Sequence, residues 1–158
     1  MKSIFVVVLL ALAQHTRATT TIDTTTIDMF SCNDYVNYVD DTFKATIPNT
    51  ITTIDVSAFV MCNVITSLTF DSGSILETIG NYAFQGAEIT SVTIPTSVTS
   101  IGDYAFAADS SSSATLESLT FDSGSKLKTI GAYAFQYTKL TAVSIPPTVT
   151  QIGNNAFP

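Results

Sequence analysis

The sequence predicts a solenoid, a mainly β stack of short coils around one apolar interior, preceded by an N-terminal cap. Three observations lead there. The nineteen residues SLTFDSGSILETIGNYAFQ (67–85) return as SLTFDSGSKLKTIGAYAFQ (118–136), changed only where Ile75, Glu77 and Asn81 become Lys126, Lys128 and Ala132. An Ala-Phe pair recurs at Phe59, Phe84, Phe106, Phe135 and Phe157, each with an isoleucine five residues earlier: Ile54, Ile79, Ile101, Ile130 and Ile152. Short β-prone runs end at Ile47, Phe70, Ile94, Phe121 and Ile145, spaced 23, 24, 27 and 24 residues apart. A period in the twenties is one coil of a solenoid, too short for a propeller blade or a pair of helices.

From the N-terminus, residues 1–18 carry Lys2, an apolar run from Ile4 to Ala13, and small residues suited to cleavage after Ala13 or Ala18. This is the layout of a secretory signal peptide, and it predicts an extracellular protein, secreted or associated with the cell surface. The apolar run is too short to span a bilayer, and no later stretch is long and apolar enough for a transmembrane helix.

Past residue 18 only Lys44, Lys126, Lys128 and Lys139 oppose thirteen acidic residues, within a formal net charge of −7 for the whole chain. Such a surface is a poor match for phosphate backbones, so nucleic acid is excluded as a partner. The single histidine, His15, lies in the leader. Beyond it the chain lacks the commonest general base and transition-metal ligand.

Residues 19–43 lack the repeat. The threonine-rich stretch 19–28 reads as a flexible lead and an O-glycosylation candidate. Residues 29–43, with Tyr35, Tyr38 and Phe43, read as a cap over the first coil. No N-x-[ST] sequon occurs. Cys32 in the cap and Cys62 in the first coil are a disulfide candidate, which export permits; closing that loop would contribute roughly 3–4 kcal/mol. The alternative is a buried free thiol at Cys62.

Residues 44–158 read as five coils written in two alternating forms. In one, the strand meets proline (Pro48, Pro95, Pro146) and seven residues separate strand end from isoleucine. In the other it meets aspartate (Asp71, Asp122), and Asp-Ser-Gly-Ser extends that spacing to nine. Alternation within Ser-Leu-Thr-Phe sends Leu68 and Phe70 inward and Ser67 and Thr69 outward. Proline ends a strand at a corner because it has no N–H and fixes its own φ. Gly73 and Gly124 supply the other corner, and Gly80, Gly102, Gly131 and Gly153 mark a second one leading into the Ala-Phe segment. The phenylalanines are expected to stack inside, each contributing about 1.5–3 kcal/mol when buried. The next strand end comes 20 positions after Ile101, against 15 in neighbouring coils, which places a polar loop insertion at 107–115.

The unit I-P-x-x-V-x-x-I-G-x-x-A-F, as in IPTSVTSIGDYAF (94–106), resembles the BspA-type leucine-rich repeat. IPPTVTQIGNNAF (145–157) fits as well, and IPNTITTIDVSAF (47–59) fits with Asp55 in place of glycine. The resemblance covers residues 44–158. It implies a right-handed leucine-rich-repeat solenoid with a parallel sheet on its concave face and short helical or 3-10 segments on its convex side. It also implies a surface-exposed or secreted protein engaged in adhesion or protein contact, without catalytic residues to carry over.

Stacking would align the outward strand residues into a hydroxyl column: Ser67, Thr69, Ser91, Thr93, Ser118, Thr120 and Ser144. These are the binding candidates, toward a protein or glycan. A threonine ladder matching ice or a mineral lattice is a further alternative, disfavoured by the curvature of such solenoids. Tyr82, Tyr104 and Tyr133 should also align, as a partner anchor or as a half-buried row. Asp71 and Asp122, two coils apart, are too distant to share a calcium ion and read as turn formers. No catalytic constellation, metal set or cofactor motif is present, so the expected role is non-enzymatic. The alternative is a structural array self-associating through an open C-terminal coil ending at Phe157.

Overall fold

The structure, a computed structural model, describes residues 26–27, 44–109 and 115–157. The leader at 1–18, the proposed cap at 29–43 and the centre of the insertion lie outside the described residues.

Among the described residues ten short strands are stacked in parallel. Six are two-residue strands: β1 (Thr26–Ile27), β3 (Thr53–Ile54), β5 (Thr78–Ile79), β7 (Ser100–Ile101), β9 (Thr129–Ile130) and β10 (Gln151–Ile152). They form one continuous sheet in the order β1-β3-β5-β7-β9-β10. Its register aligns Ile27, Ile54, Ile79, Ile101, Ile130 and Ile152, coil upon coil. The four-residue strands are β2 (Lys44–Ile47), β4 (Ser67–Phe70), β6 (Ser91–Ile94) and β8 (Ser118–Phe121). They do not make one sheet: β2 pairs with β4 and β6 with β8.

Three expectations need correction. The sheet of four-residue strands is split, and residues 142–145 are not a strand at all. The Ala-Phe segments are turns, with no helix among the described residues. Alternate N–H groups bond between coils, Phe59, Phe84, Phe106 and Phe135 donating to the carbonyls of Ala83, Ala105, Ala134 and Ala156 at 2.7–2.8 Å, while intervening ones such as Gln85 N–H to Tyr82 O at 3.1 Å close single turns. A backbone bonded to its neighbour coil cannot also close i→i−4 bonds. Thirdly, Thr26–Ile27, inside the stretch read as a flexible lead, forms the first strand of the six-stranded sheet.

The split follows from the alternating corners. Asp71 N–H donates to Ile47 O, and Asp122 N–H to Ile94 O, both at 3.0 Å, finishing each strand pair. Where an aspartate coil is followed by a proline coil, the corresponding residue is Pro95 or Pro146. Neither has an N–H to offer the Phe70 or Phe121 carbonyl. The pairing is therefore missing between β4 and β6, and again between β8 and residues 142–145.

Corners are fixed locally. Ile51, Val98 and Val149 N–H groups return to the carbonyls of Pro48, Pro95 and Pro146 at 3.1–3.2 Å. In the other form Gly73 and Gly124 take φ +72° and +76°, and the hydroxyls of Ser74 and Ser125 accept from Leu76 and Leu127 N–H at 3.3 Å. The second-corner glycines have a different reason. A Cβ on Gly80 would sit 2.8 Å from Val56 N of the preceding coil, so close coil approach requires its absence.

The interior is one apolar column. Ile47, Ile54, Leu76, Ile79, Phe84, Ile94, Val98, Ile101, Leu127, Ile130 and Phe135 are fully buried. The phenylalanine rings stack from Phe59 through Phe84, Phe106 and Phe135 to Phe157, with centroids 5.1–5.5 Å apart. Ile75, Glu77, Lys126 and Lys128, at two of the three positions where the long copies differ, all face solvent.

Candidate functional site

The hydroxyl column is built by strand register. Ser67 sits beside Lys44 and Thr69 beside Thr46; Ser91 sits beside Ser118 and Thr93 beside Thr120. Branched threonine suits these pleated, water-facing positions. The threonines bond in pairs across coils: Thr46 to Thr69 at 3.0 Å and Thr93 to Thr120 at 2.8 Å between Oγ1 atoms. No such bond joins Thr69 to Thr93, where the sheet is split. Ser144 is exposed but stands outside any strand.

At the split lies a cleft of about 480 Å³. The β4 residues Ser67–Phe70 and the corner 71–74 form one wall. Ser91, Val92 and Thr93 form the other, with Pro95, Thr96 and Asp122 at one end. Corner length shapes it. Ser72, Gly73, Ser123 and Gly124 are exposed on the long corners, and a Cβ on either glycine would meet nothing within 4 Å. Pro95, on the short corner between them, is buried. The cleft thus brings together Ser67, Thr69, Ser91 and Thr93 of the expected binding set and leaves Ser118, Thr120 and Ser144 outside it. Asp71 and Asp122 do form the corners, through Ser74 and Ser125 N–H donating to their carbonyls at 3.2 and 3.1 Å. They also line the cleft, a role sequence reading missed; the signal was the proline in the intervening coil.

The tyrosine column stands on the opposite arm of the coil. Tyr82, Tyr104 and Tyr133 stack with centroids 5.1 and 4.8 Å apart. Each has φ of 55–58°, as do Ser57 (59°) and Asn155 (52°) in the same column. Bulky residues rarely enter this left-handed region. Here inter-coil bonds hold them, Tyr82 N–H donating to Asp103 O at 2.8 Å and Tyr104 N–H to Ala132 O at 3.0 Å. Burial in the stack raises the Tyr104 phenol above its ordinary pKa, aided by Tyr133, Tyr82, Asp103 and Tyr137. Tyr82 remains 37% exposed at the end of the row.

Cys62 is fully buried and disulfide-bonded. Cys32, its expected partner and the only other cysteine in the chain, lies outside the described residues. At the equivalent position Thr138 is buried and donates to Phe135 O at 2.8 Å. Among the described residues no group of three His, Cys, Asp or Glu could hold a metal ion, and no helix is long and apolar enough to cross a membrane.

Residues 21–158 match the BspA-type leucine-rich-repeat region in six copies. The chain belongs to the BspA-type leucine-rich-repeat family. The sixth copy, one more than the Ala-Phe register counts, agrees with β1 at Thr26–Ile27. Among solved structures, the pneumococcal vaccine antigen PcpA is similar at 30% identity with a TM-score of 0.70, over 84% of this chain and 33% of that one. A leucine-rich cell surface protein of Faecalibacterium prausnitzii A2-165 is similar at 26% identity and TM-score 0.46, over 90% of this chain and 42% of that one. A leucine-rich repeat protein of Bacteroides ovatus ATCC 8483 is similar at 24% identity and TM-score 0.40, over 72% and 40%. The chain therefore spans a third to two fifths of these proteins. Among curated proteins no relative matches.

Proposed function

We propose that this BspA-type chain is a non-enzymatic extracellular recognition module that binds a protein or glycan ligand through its serine and threonine face. The observation that carries this reading is the cleft. Four of the hydroxyl residues aligned by the repeat, Ser67, Thr69, Ser91 and Thr93, line a concavity of about 480 Å³. Ligands are held preferentially in concavities lined by both apolar and polar residues. The leader-like N-terminus and the likeness to a pneumococcal vaccine antigen support an extracellular setting.

The test is a triple substitution, Thr69→Lys, Thr93→Lys and Thr120→Lys, screened beside the unaltered protein against arrayed extracellular proteins and glycans. The reading expects ligands bound by the unaltered protein and lost by the variant. Ligands retained by the variant would place recognition elsewhere.

A second reading is assembly through the last coil. Ile152 is 49% exposed, whereas Ile54, Ile79, Ile101 and Ile130 in the same column are buried, so a further coil, of a continuing chain or of a second copy, has β10 to stack on. Concentration-dependent association abolished by Phe157→Asp would favour it. Ice or mineral binding finds no such support, because the hydroxyl rows are interrupted at the split.

A further inference from the structure

We infer that the cleft between β4 and β6 receives a cationic side chain, arginine or lysine, from an extended polypeptide partner lying along the hydroxyl face. This rests on the recognition reading above and names the class of its ligand.

The inference starts from which hydrogen-bonding groups the split leaves over. At the two closed interfaces, the carbonyls of Ile47 and Ile94 accept from Asp71 and Asp122 N–H. At the open interface the equivalent acceptor is the Phe70 carbonyl, and the residue opposite is Pro95, which carries no donor. Phe70 and Pro95 both line the cleft. Two carboxylates, Asp71 and Asp122, line it too, and ionised carboxylates only accept. No hydrogen bond or ion pair among the described residues engages either carboxylate.

The threonine hydroxyls do not redress the balance. Thr69 is turned toward the preceding coil, where it meets Thr46 and the Ala45 carbonyl; Thr93 is turned toward Thr120 in the following one. Thr96, at the end of the cleft, donates to Ser123 O at 3.2 Å. The cleft presents the Phe70 carbonyl and two carboxylates as acceptors beside the Thr93 N–H and the hydroxyls of Ser67 and Ser91, carries two negative charges and is lined by no lysine or arginine. Guanidinium and ammonium groups are donors only. Phe70, only part-buried at the cleft, gives the aliphatic stem of such a side chain an apolar surface to lie on. A neutral sugar is the weaker fit. It would bring as many acceptors as donors, and no tyrosine or tryptophan lines the cleft to stack on it.

The test is a backbone amide NMR titration of the whole chain with three probes: a capped hexa-arginine peptide, a capped hexa-glutamate peptide and a neutral hexasaccharide. The arginine peptide is expected to produce saturable shifts confined to residues 67–74 and 91–96 and to Asp122, weakening as salt is raised. Asp71→Asn with Asp122→Asn should weaken it about fivefold to thirtyfold. Glu77→Gln with Glu88→Gln makes the same change in net charge at exposed sites off the cleft, and should leave affinity within about twofold. Equal weakening by both pairs, or shifts scattered over all acidic residues, would reduce the effect to bulk charge and overturn the proposal. Shifts in the cleft with the hexasaccharide and none with the arginine peptide would overturn the cationic ligand yet keep recognition by this face. Silence of the cleft toward all three probes would overturn the proposal without touching ligands that bind elsewhere on the face.

Discussion

Thr93 and Thr120 hold their Oγ1 atoms 2.8 Å apart across adjoining coils, while Thr69, the nearest threonine on the other side, pairs away from Thr93 with Thr46. The hydroxyl face is thus a set of closed pairs separated by an opening. The Thr93–Thr120 bond is exposed, so it contributes little to folding. Thr93→Val should cost less than about 1 kcal/mol. Leu68→Ala, which removes a buried side chain from the same face's underside, should cost about 2–5 kcal/mol. Chemical denaturation of the two variants checks the contrast, and a large loss for Thr93→Val would make the pair structural.

The phenylalanine stack predicts a position effect. Phe84 is fully buried between the rings of Phe59 and Phe106. Phe84→Ala should cost about 3–5 kcal/mol and break cooperativity between the coils on either side, because each coil is stabilised by its neighbours. Phe157→Ala, at the end of the described stack with one ring neighbour, should cost less. Equal losses would mean that stacking between coils is not what holds them.

Most of the solenoid was legible because each interior column repeats one residue type. Ile54, Ile79, Ile101, Ile130 and Ile152 declare their register, as do the five phenylalanines. What escaped were features that depend on contact between coils. The six-stranded sheet uses two-residue strands, too short to show a period-two pattern. The helical or 3-10 segments that the resemblance implied went uncorrected because tyrosine at positive φ has no sequence signal; inter-coil bonds to residues such as Asp103 impose it. The coil begun by Thr26–Ile27 was missed because five residues after Ile27 stands Cys32, where the other coils have phenylalanine. The cleft was missed because its cause is a donor absent from Pro95, seen only when the coils are laid one on another.

Tyr104 predicts an alkaline limit to stability. Phenols in the unfolded chain ionise near about pH 10. Folded Tyr104 keeps its proton to higher pH, so the unfolded state loses protons first. The contribution is fully present below about pH 10 and is lost as pH rises through the raised Tyr104 pKa. The thermal midpoint should be insensitive to this group below about pH 10 and decline above it. Tyrosinate absorbance should show a component titrating above the ordinary phenol range, removed by Tyr104→Phe. Absence of that component would contradict the stacked environment.

Pro95→Ala restores an N–H opposite the Phe70 carbonyl. A gain of about 0.5–1.5 kcal/mol from the new bond is set against about 0.4–1 kcal/mol from greater freedom in the unfolded chain, so stability should barely change. The cleft, however, should narrow, and binding of the arginine peptide should weaken. Unchanged binding together with a protected amide at position 95 would separate the cleft from the proline.

Native-state amide hydrogen exchange tests most directly the claim that alternating corners split the hydroxyl face. Asp71 and Asp122 amides, bonded at 3.0 Å to Ile47 and Ile94 carbonyls, should be protected. Because Ile94 directs its carbonyl toward β8, strand alternation turns the Thr93 amide toward β4, across the opening. The account predicts that Thr93 exchanges far faster than Asp71 and Asp122. Protection of Thr93 equal to theirs would mean one continuous sheet, with no cleft for a ligand to enter.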